Sequence, residues 1–459
     1  MPSHNFSHEP ENVKQIFTNN RVIRTKIPVP ESLPLLEEMY RFEAQAMHGQ
    51  YPMVWSKAEN YSVEDLWGNK WIDFTSTIFV ANAGHSNTRI INAIKRLLNK
   101  PLLHTYTYAS EERVSYLKYL ISNTPANFQK AFLLSAGTEA TEAALKLMRI
   151  HGSKESLGKK GVICFDGAYH GRTVGAQTMT GNINAKKWIG SHDPNIYHMK
   201  FPYPWTVDDP KKFFYDEMQR LIDEYQISIS EDICGFMIES FQGWGAIFYP
   251  KEFIQELKKF ADKNKILIAF DEMQAGFGRT GTLFGYEHYE ITPDILCCGK
   301  GASSGVPLSI VLGSTEIMDG PDIGSMSSTH SANPLVCVAG EENLRSLLED
   351  GLIKNSKKLG EIFHKELKNI QAKFPNHIRY VFGKGLLASL IFIDKDDNPL
   401  IELCDKVCEK SFKNGLLVVH TGRESIKLAP PLSINYDALI EGLEVLSSSI
   451  EATLLELYG

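Results

Sequence analysis

Five short apolar runs in this chain of 459 residues end on residues that can do chemistry. Ala131–Leu134 leads into Ser135-Ala-Gly-Thr138, and Val162–Phe165 leads into Asp166-Gly-Ala-Tyr-His-Gly-Arg172. Gly235–Ile238 delivers Glu239, with Gln242-Gly-Trp244 just beyond, and Ile266–Phe270 delivers Asp271-Glu-Met-Gln274. Ile295–Cys298 presents Lys300 between Gly299 and Gly301. Small residues before a helix start leave backbone N–H groups open to an anion. An aromatic in a glycine-flanked loop, such as Tyr169, can stack on a flat heterocycle. A lysine at an apolar strand end is desolvated, which lowers its pKa and makes its amine nucleophilic.

Each feature alone has a plainer reading: a tight connection, a packed aromatic, a solvated lysine. As a series they supply an anion site, a ring-stacking face, an aspartate for a ring nitrogen and a lysine for an aldehyde. Those are the needs of pyridoxal 5'-phosphate. Two rival readings fail on spacing. Asp271-Glu272 after an apolar strand suits the magnesium element of an ATPase, but no G-x-x-x-x-G-K-[ST] loop exists. Gly276 to Gly281 spells G-x-G-x-x-G, yet Thr282-Leu-Phe-Gly-Tyr follows where a dinucleotide fold needs a helix.

Apolar strands separated by helical stretches such as Phe253–Lys263 predict an α/β fold: a large domain with a mostly parallel sheet covered by helices on both faces. Ligands then collect outside the carboxyl ends of the strands, where the residues above lie. Leu308–Leu312 reads as a sixth strand of the set. Tyr61 to Phe74 reads as a hairpin turning at Trp67-Gly-Asn69. Ile90, Ile91, Ile94, Leu97 and Leu98 recur at helical spacing. After about residue 335, helices precede Tyr380–Ile393, Leu416–His420 and Ser425–Leu428, a smaller α+β unit. The expected division is 1–80 as an N-terminal arm and part of the small domain, 81–334 as the large cofactor domain, and 335–459 as the C-terminal small domain. The polar first twenty residues read as a loose arm.

A net charge of -7 argues against a broad nucleic-acid surface. The longest apolar runs are strand-length, so no membrane span is expected. Met1-Pro-Ser-His-Asn-Phe has no basic segment followed by an apolar stretch, and a cytoplasmic location is expected. Five of the seven cysteines sit in apolar runs and read as buried small hydrophobes. Cys404 and Cys408, four apart on a helix, have no second ligand pair, and no metal site is expected.

In sequence order, Gly84-His85, Ser135-Ala-Gly-Thr-Glu-Ala-Thr-Glu-Ala-Ala-Leu-Lys146, Gly167-Ala-Tyr-His-Gly-Arg172, Glu239 with Gln242-Gly243, Asp271-Glu-Met-Gln-Ala-Gly-Phe-Gly-Arg-Thr-Gly281, Lys300, Ser328-Thr-His-Ser-Ala-Asn-Pro334 and Pro430-Pro-Leu432 follow one another. From about Trp55 to Pro431 the chain resembles the class III aminotransferases, of the aspartate-aminotransferase fold type (fold type I among pyridoxal-phosphate enzymes). The resemblance implies that Lys300 is the Schiff-base lysine and moves the substrate proton. It implies that Asp271 pairs with the ring nitrogen and Gln274 bonds the ring's phenolic oxygen. Tyr169 would stack on the ring, and Gly137 and Thr138 would hold the phosphate. His170 and Glu239 join the cofactor set, and Thr329 would reach the phosphate in the other subunit of a homodimer with its active sites at the interface.

The same resemblance assigns Trp55, Phe79, Arg172, Trp244, Arg423 and Lys427 to the substrate side. Two of these depart from the family pattern. Trp244 stands where a glutamate is common, and Lys427 where an arginine is. Trp244 cannot accept a salt bridge, and Lys427 offers a point charge in place of a planar fork. Arg172 remains as an anchor for a distal anion, and Arg423 as a substitute clamp. Met273 replaces the usual valine against the ring. The expected reaction is amino transfer from a primary amine or ω-amino acid, such as a 4-aminobutyrate-like donor, to a keto acid such as pyruvate. The family also contains amino-acid epimerases, which return the proton to the other face, and that is the alternative.

Overall fold

The computed structural model describes residues 4–459, and these divide into two compact units. One spans Thr88–Gly243 and Ile247–Gly351; the other comprises residues 4–87, Trp244–Ala246 and Leu352–Gly459.

Seven strands form the main sheet among the described residues of the first unit: β1 (Lys130–Leu134), β2 (Gly161–Phe165), β3 (Ile196–Met199), β4 (Ile233–Glu239), β5 (Leu267–Asp271), β6 (Ile295–Cys298) and β7 (Ser309–Gly313). Their order across the sheet is β1-β7-β6-β5-β4-β2-β3. The contiguous set from β6 to β3 is parallel, while β7 runs antiparallel to both of its neighbours. Mostly parallel is therefore right. The short strand β3 leaves no clear sequence signal because Ile-Tyr-His-Met mixes polar and apolar residues and sits on an edge, half covered.

The two faces of the sheet bury different side chains, as alternation requires. On one face Val162, Cys164, Met237, Ala269, Cys297 and Val311 pack against Ala140, Ala143, Ala144, Leu147 and Met148. The latter lie on helix α1 (Gly137–Glu155), whose alanines let it approach closely. On the other face Phe165 meets Phe253 of the helix Lys251–Asn264, and Phe270 meets Tyr286 and Tyr289. Core burial on both faces fixes where each strand stops, and so fixes the residues that follow.

In the second unit Ser62–Asp65 and Lys70–Asp73 form the hairpin read from the sequence. Trp55–Glu59 extends it on one side, and Leu416–Leu417 pairs parallel to Lys70–Asp73, joining the two ends of the chain. A second sheet holds the hairpin Ile378–Lys384/Leu387–Phe392, then Ser425–Leu428 and Val419–His420. The α+β expectation for this part agrees with these elements.

The described part of the first twenty residues is not loose. Phe6 is buried against Tyr51, Ile16–Phe17 pairs with Val22–Ile23, and Glu441 takes bonds from Thr18, Asn20 and Arg21. Polar composition suggested an arm, but one buried ring and one carboxylate are enough to dock it. Met1–Ser3 lie outside the described residues. Among those described, no helix is long and apolar enough to cross a membrane, and no three His, Cys, Asp or Glu are grouped to hold a metal.

Candidate active site

The ends of β1, β2, β4, β5 and β6 surround a cavity of about 270 Å³. Gly137, Thr138, Tyr169, His170, Arg172, Glu239, Asp271, Gln274 and Lys300 line it, so nine of the residues singled out in the sequence meet in one place. Met273, read from the sequence as lying against the ring, lines it too, and Gly171, Ser240, Phe241 and Ala275 complete the lining. Position alone, close to Glu239 and Asp271, was the signal for Ser240, Phe241 and Ala275.

One end of the cavity is built at the start of α1. Glu139 turns its carboxylate back to accept from the N–H groups of Ser135 (2.9 Å) and Ala136 (2.7 Å). Gly137 and Thr138 then line the cavity at the positive end of a 19-residue helix. The Thr138 hydroxyl lies 2.6 Å from that of Thr173, which donates to Glu142, and Glu142 also accepts from Gly175 and Ala176 N–H. Glu142 thus ties the β2 loop to α1. Its spacing of four from Thr138 was the overlooked sign. Room for an anion depends on small residues: a Cβ at Gly171 would lie 2.5 Å from the Thr138 hydroxyl oxygen.

At the other end Asp271, buried, has one carboxylate oxygen 2.9 Å from His170 Nδ1 and accepts from the Met273 N–H at 3.1 Å. His170 Nε2 is buried without a partner. The ring therefore acts behind Asp271, orienting it. Tyr169 stays 40% exposed, and its N–H donates to Glu239 at 3.1 Å.

Lys300 follows β6 in a left-handed conformation, φ 39°, a strained state for a residue with a side chain. Burial holds its ammonium below the ordinary lysine value, while the carboxylates of Asp271 and Glu239 oppose the shift. Met273 is wedged between glycines. A Cβ on Gly137 would come 2.9 Å from its sulfur, and one on Gly299 2.5 Å. A larger residue than valine fits here because both neighbours lack side chains.

These features suit pyridoxal phosphate: an anion-binding helix start, an aromatic face, a buried carboxylate and a desolvated amine, converging on one cavity.

Trp55, Phe79, Trp244, Arg423 and Lys427 belong to the second unit. Phe79 is buried and ends a run of four left-handed residues from Ser76. The Lys427 ammonium lies 4.4 Å from the centre of its ring. The Arg423 guanidinium lies 3.9 Å over the Trp244 ring and pairs with Glu424 at 2.8 Å. Trp244 directly follows Gly243, where a Cβ would come 2.7 Å from the Gln274 amide nitrogen and 2.9 Å from Glu239. Thr329 is exposed, outside the cavity lining, with its carbonyl 2.7 Å from His104 Nε2.

A sheet of this order with a lysine, an aspartate and a helix start at its carboxyl edge defines a pyridoxal-phosphate enzyme of fold type I. The aminotransferase class-III family model matches residues 44–450, and the chain belongs to that family. It is an aminotransferase-family enzyme whose cofactor is pyridoxal 5'-phosphate. It is 30% identical to a 4-aminobutyrate aminotransferase from Mycobacterium leprae, over 93% of this chain and 97% of that protein. It is also 30% identical to an alanine/serine racemase from Pyrococcus horikoshii, over 99% of this chain and 98% of that protein. Among solved structures it resembles an (S)-enantioselective omega-transaminase from Thermomicrobium roseum, with a TM-score of 0.83, 26% identity and coverage of 93% and 99%.

Proposed function

We infer that this chain moves an amino group from a primary amine or ω-amino acid to a small keto acid such as pyruvate, with Lys300 as the reactive amine. Bound pyridoxal phosphate supplies a ring that takes up electrons when the carbon bearing the amino group loses its proton. The chain's own groups do the rest. Lys300 Nζ, desolvated and therefore easily neutral, takes that proton and returns it. Asp271, held by His170 and the Met273 N–H, keeps its carboxylate fixed toward the ring nitrogen. Gln274 would bond the ring's phenolic oxygen, Tyr169 would stack on the ring, and Gly137 and Thr138 would anchor the phosphate. Thr329 completes the phosphate site of a second copy in a homodimer working in the cytoplasm.

One observation carries the substrate reading: two of the three cations on the substrate side, Arg423 and Lys427, rest on aromatic rings. Arg423 lies on Trp244 and beside Glu424, and Lys427 lies over Phe79. A glutamate-using site needs a planar cation open to the α-carboxylate. With one amine donor, kcat/KM for pyruvate should exceed that for 2-oxoglutarate by about tenfold, the worth of one charge-assisted hydrogen bond. A clear preference for 2-oxoglutarate would overturn this choice of acceptor.

The racemase relative, which aligns with nearly the whole chain, favours a second reading: an epimerase that returns the proton to the face opposite Lys300.

A further inference from the structure

The Glu139 carboxylate serves two stretches of the chain. One oxygen, Oε2, takes the N–H groups of Ser135 and Ala136 at 2.9 and 2.7 Å and shapes the helix start beside Gly137 and Thr138. The other, Oε1, takes the hydroxyl of Ser328 at 3.1 Å. A carboxylate accepts and a hydroxyl has one hydrogen to give, so the remaining directions follow. Ser331 donates to Ser328 at 2.5 Å, which leaves the Ser331 oxygen to accept from the Ser135 hydroxyl at 3.1 Å. The bonds close a ring, from Ser135 through Ser331 and Ser328 to Glu139 and back to the Ser135 N–H. Hydrogen bonds linked in this way strengthen one another.

Thr329 lies inside the segment that the ring holds. Its carbonyl is also 2.7 Å from His104 Nε2. The backbone is thus fixed from two sides, yet the side chain is exposed, and its hydroxyl bonds to nothing among the described residues. A held backbone that presents an unused hydroxyl outward is prepared for a group outside its own chain.

We propose that Glu139 is a positioning residue for two cofactor sites at once: it shapes the phosphate end of its own cavity and, through Ser328, sets Thr329 for the phosphate of a second copy. The proposal rests on the homodimer reading of Thr329 above and adds what holds that residue in place. A loose Thr329 would have to be ordered whenever the phosphate binds, and the ring removes that cost.

The test uses mixed dimers of one tagged and one untagged chain, with only the tagged chain substituted. Borohydride treatment over a range of pyridoxal phosphate concentrations fixes the cofactor, and the mass of each chain then reports the occupancy of its own site. With Ser328→Ala the untagged chain should need about threefold more cofactor for half-labelling, while the tagged chain keeps the parent value. Ser328→Thr retains a hydroxyl and should restore the untagged chain. Thr329→Ala should weaken the untagged chain by about tenfold, because the hydroxyl itself is gone. Glu139→Ala should weaken both chains, its own by about tenfold and its partner by about threefold. If Thr329→Ala weakens the untagged chain and Ser328→Ala leaves both chains unchanged, the proposal is overturned and the homodimer reading stands. If Ser328→Ala weakens the tagged chain instead, the ring serves its own site and the proposal is overturned as well. If Thr329→Ala leaves the untagged chain unchanged, the reading of Thr329 under Proposed function fails, and the proposal falls with it.

Discussion

The cofactor cavity and the Trp244 cluster are assembled on different terms. In the cavity each working group leaves the end of a buried strand, so the core packing of the sheet sets its position to within a residue. Around Trp244 the groups are long side chains, held by a cation over a ring, an exposed-side ion pair and one hydroxyl. Contacts of that second kind contribute about 0.5–2 kcal/mol for a cation over a ring and less than about 1 kcal/mol for a surface ion pair. The first arrangement is stiff and serves one chemistry. The second can be rebuilt by one substitution, which is where a family can change substrates without changing its reaction.

The largest expected effect lies in the stiff region. Lys300→Ala should abolish turnover, and borohydride treatment of the holoenzyme should leave no pyridoxyl group on the chain. If a covalent pyridoxyl group remains, another lysine is the reactive one. Asp271→Asn keeps its volume and should fold, yet lose about two to three orders of magnitude in kcat, the scale of a misplaced electrostatic partner. Near-normal rates would remove Asp271 from the reaction.

The same two carboxylates set the lysine. Asp271 and Glu239 both raise the pKa of Lys300 against the burial that lowers it. The neutral amine forms above that pKa, so capture of pyridoxal phosphate by the apoenzyme should speed up with pH through a midpoint below the ordinary 10.5. Glu239→Gln should move the midpoint lower still. A midpoint that rises contradicts the electrostatics described here.

A smaller effect sharpens the contrast by testing stiffness itself. Gly299→Ala places a methyl against the Met273 sulfur, and overpacking of this kind costs about 1–3 kcal/mol. Met273→Val in the same chain should restore most of the lost stability and cofactor affinity. Additive losses in the double variant would show that the two sites do not share the space.

Sequence made the stiff region legible for the same reason that it is stiff. Apolar runs announce strands, and in a parallel sheet the next residue is at the working edge, so Glu239, Asp271 and Lys300 could be read one by one. What escaped depends on contacts between distant parts of the chain. Glu142 acts through Thr173, His170 acts behind Asp271, and Arg423 finds Trp244, none of which leaves a periodic trace. The docking of the N-terminal segment escaped likewise, because composition cannot say that Phe6 has Tyr51 to bury against. The antiparallel strand β7 and the edge strand β3 show the limit for the fold: direction and short edges are decided by neighbours.

Amino transfer itself is tested most directly by stoichiometry with one enantiomer of a chiral amine. Supplied with that donor and pyruvate, the enzyme should form alanine and the donor's ketone in equal amounts, and without pyruvate it should leave the remaining amine's configuration unchanged beyond a single turnover. Rapid loss of configuration in the absence of any acceptor, with no ketone formed, would contradict it and make the protein an epimerase.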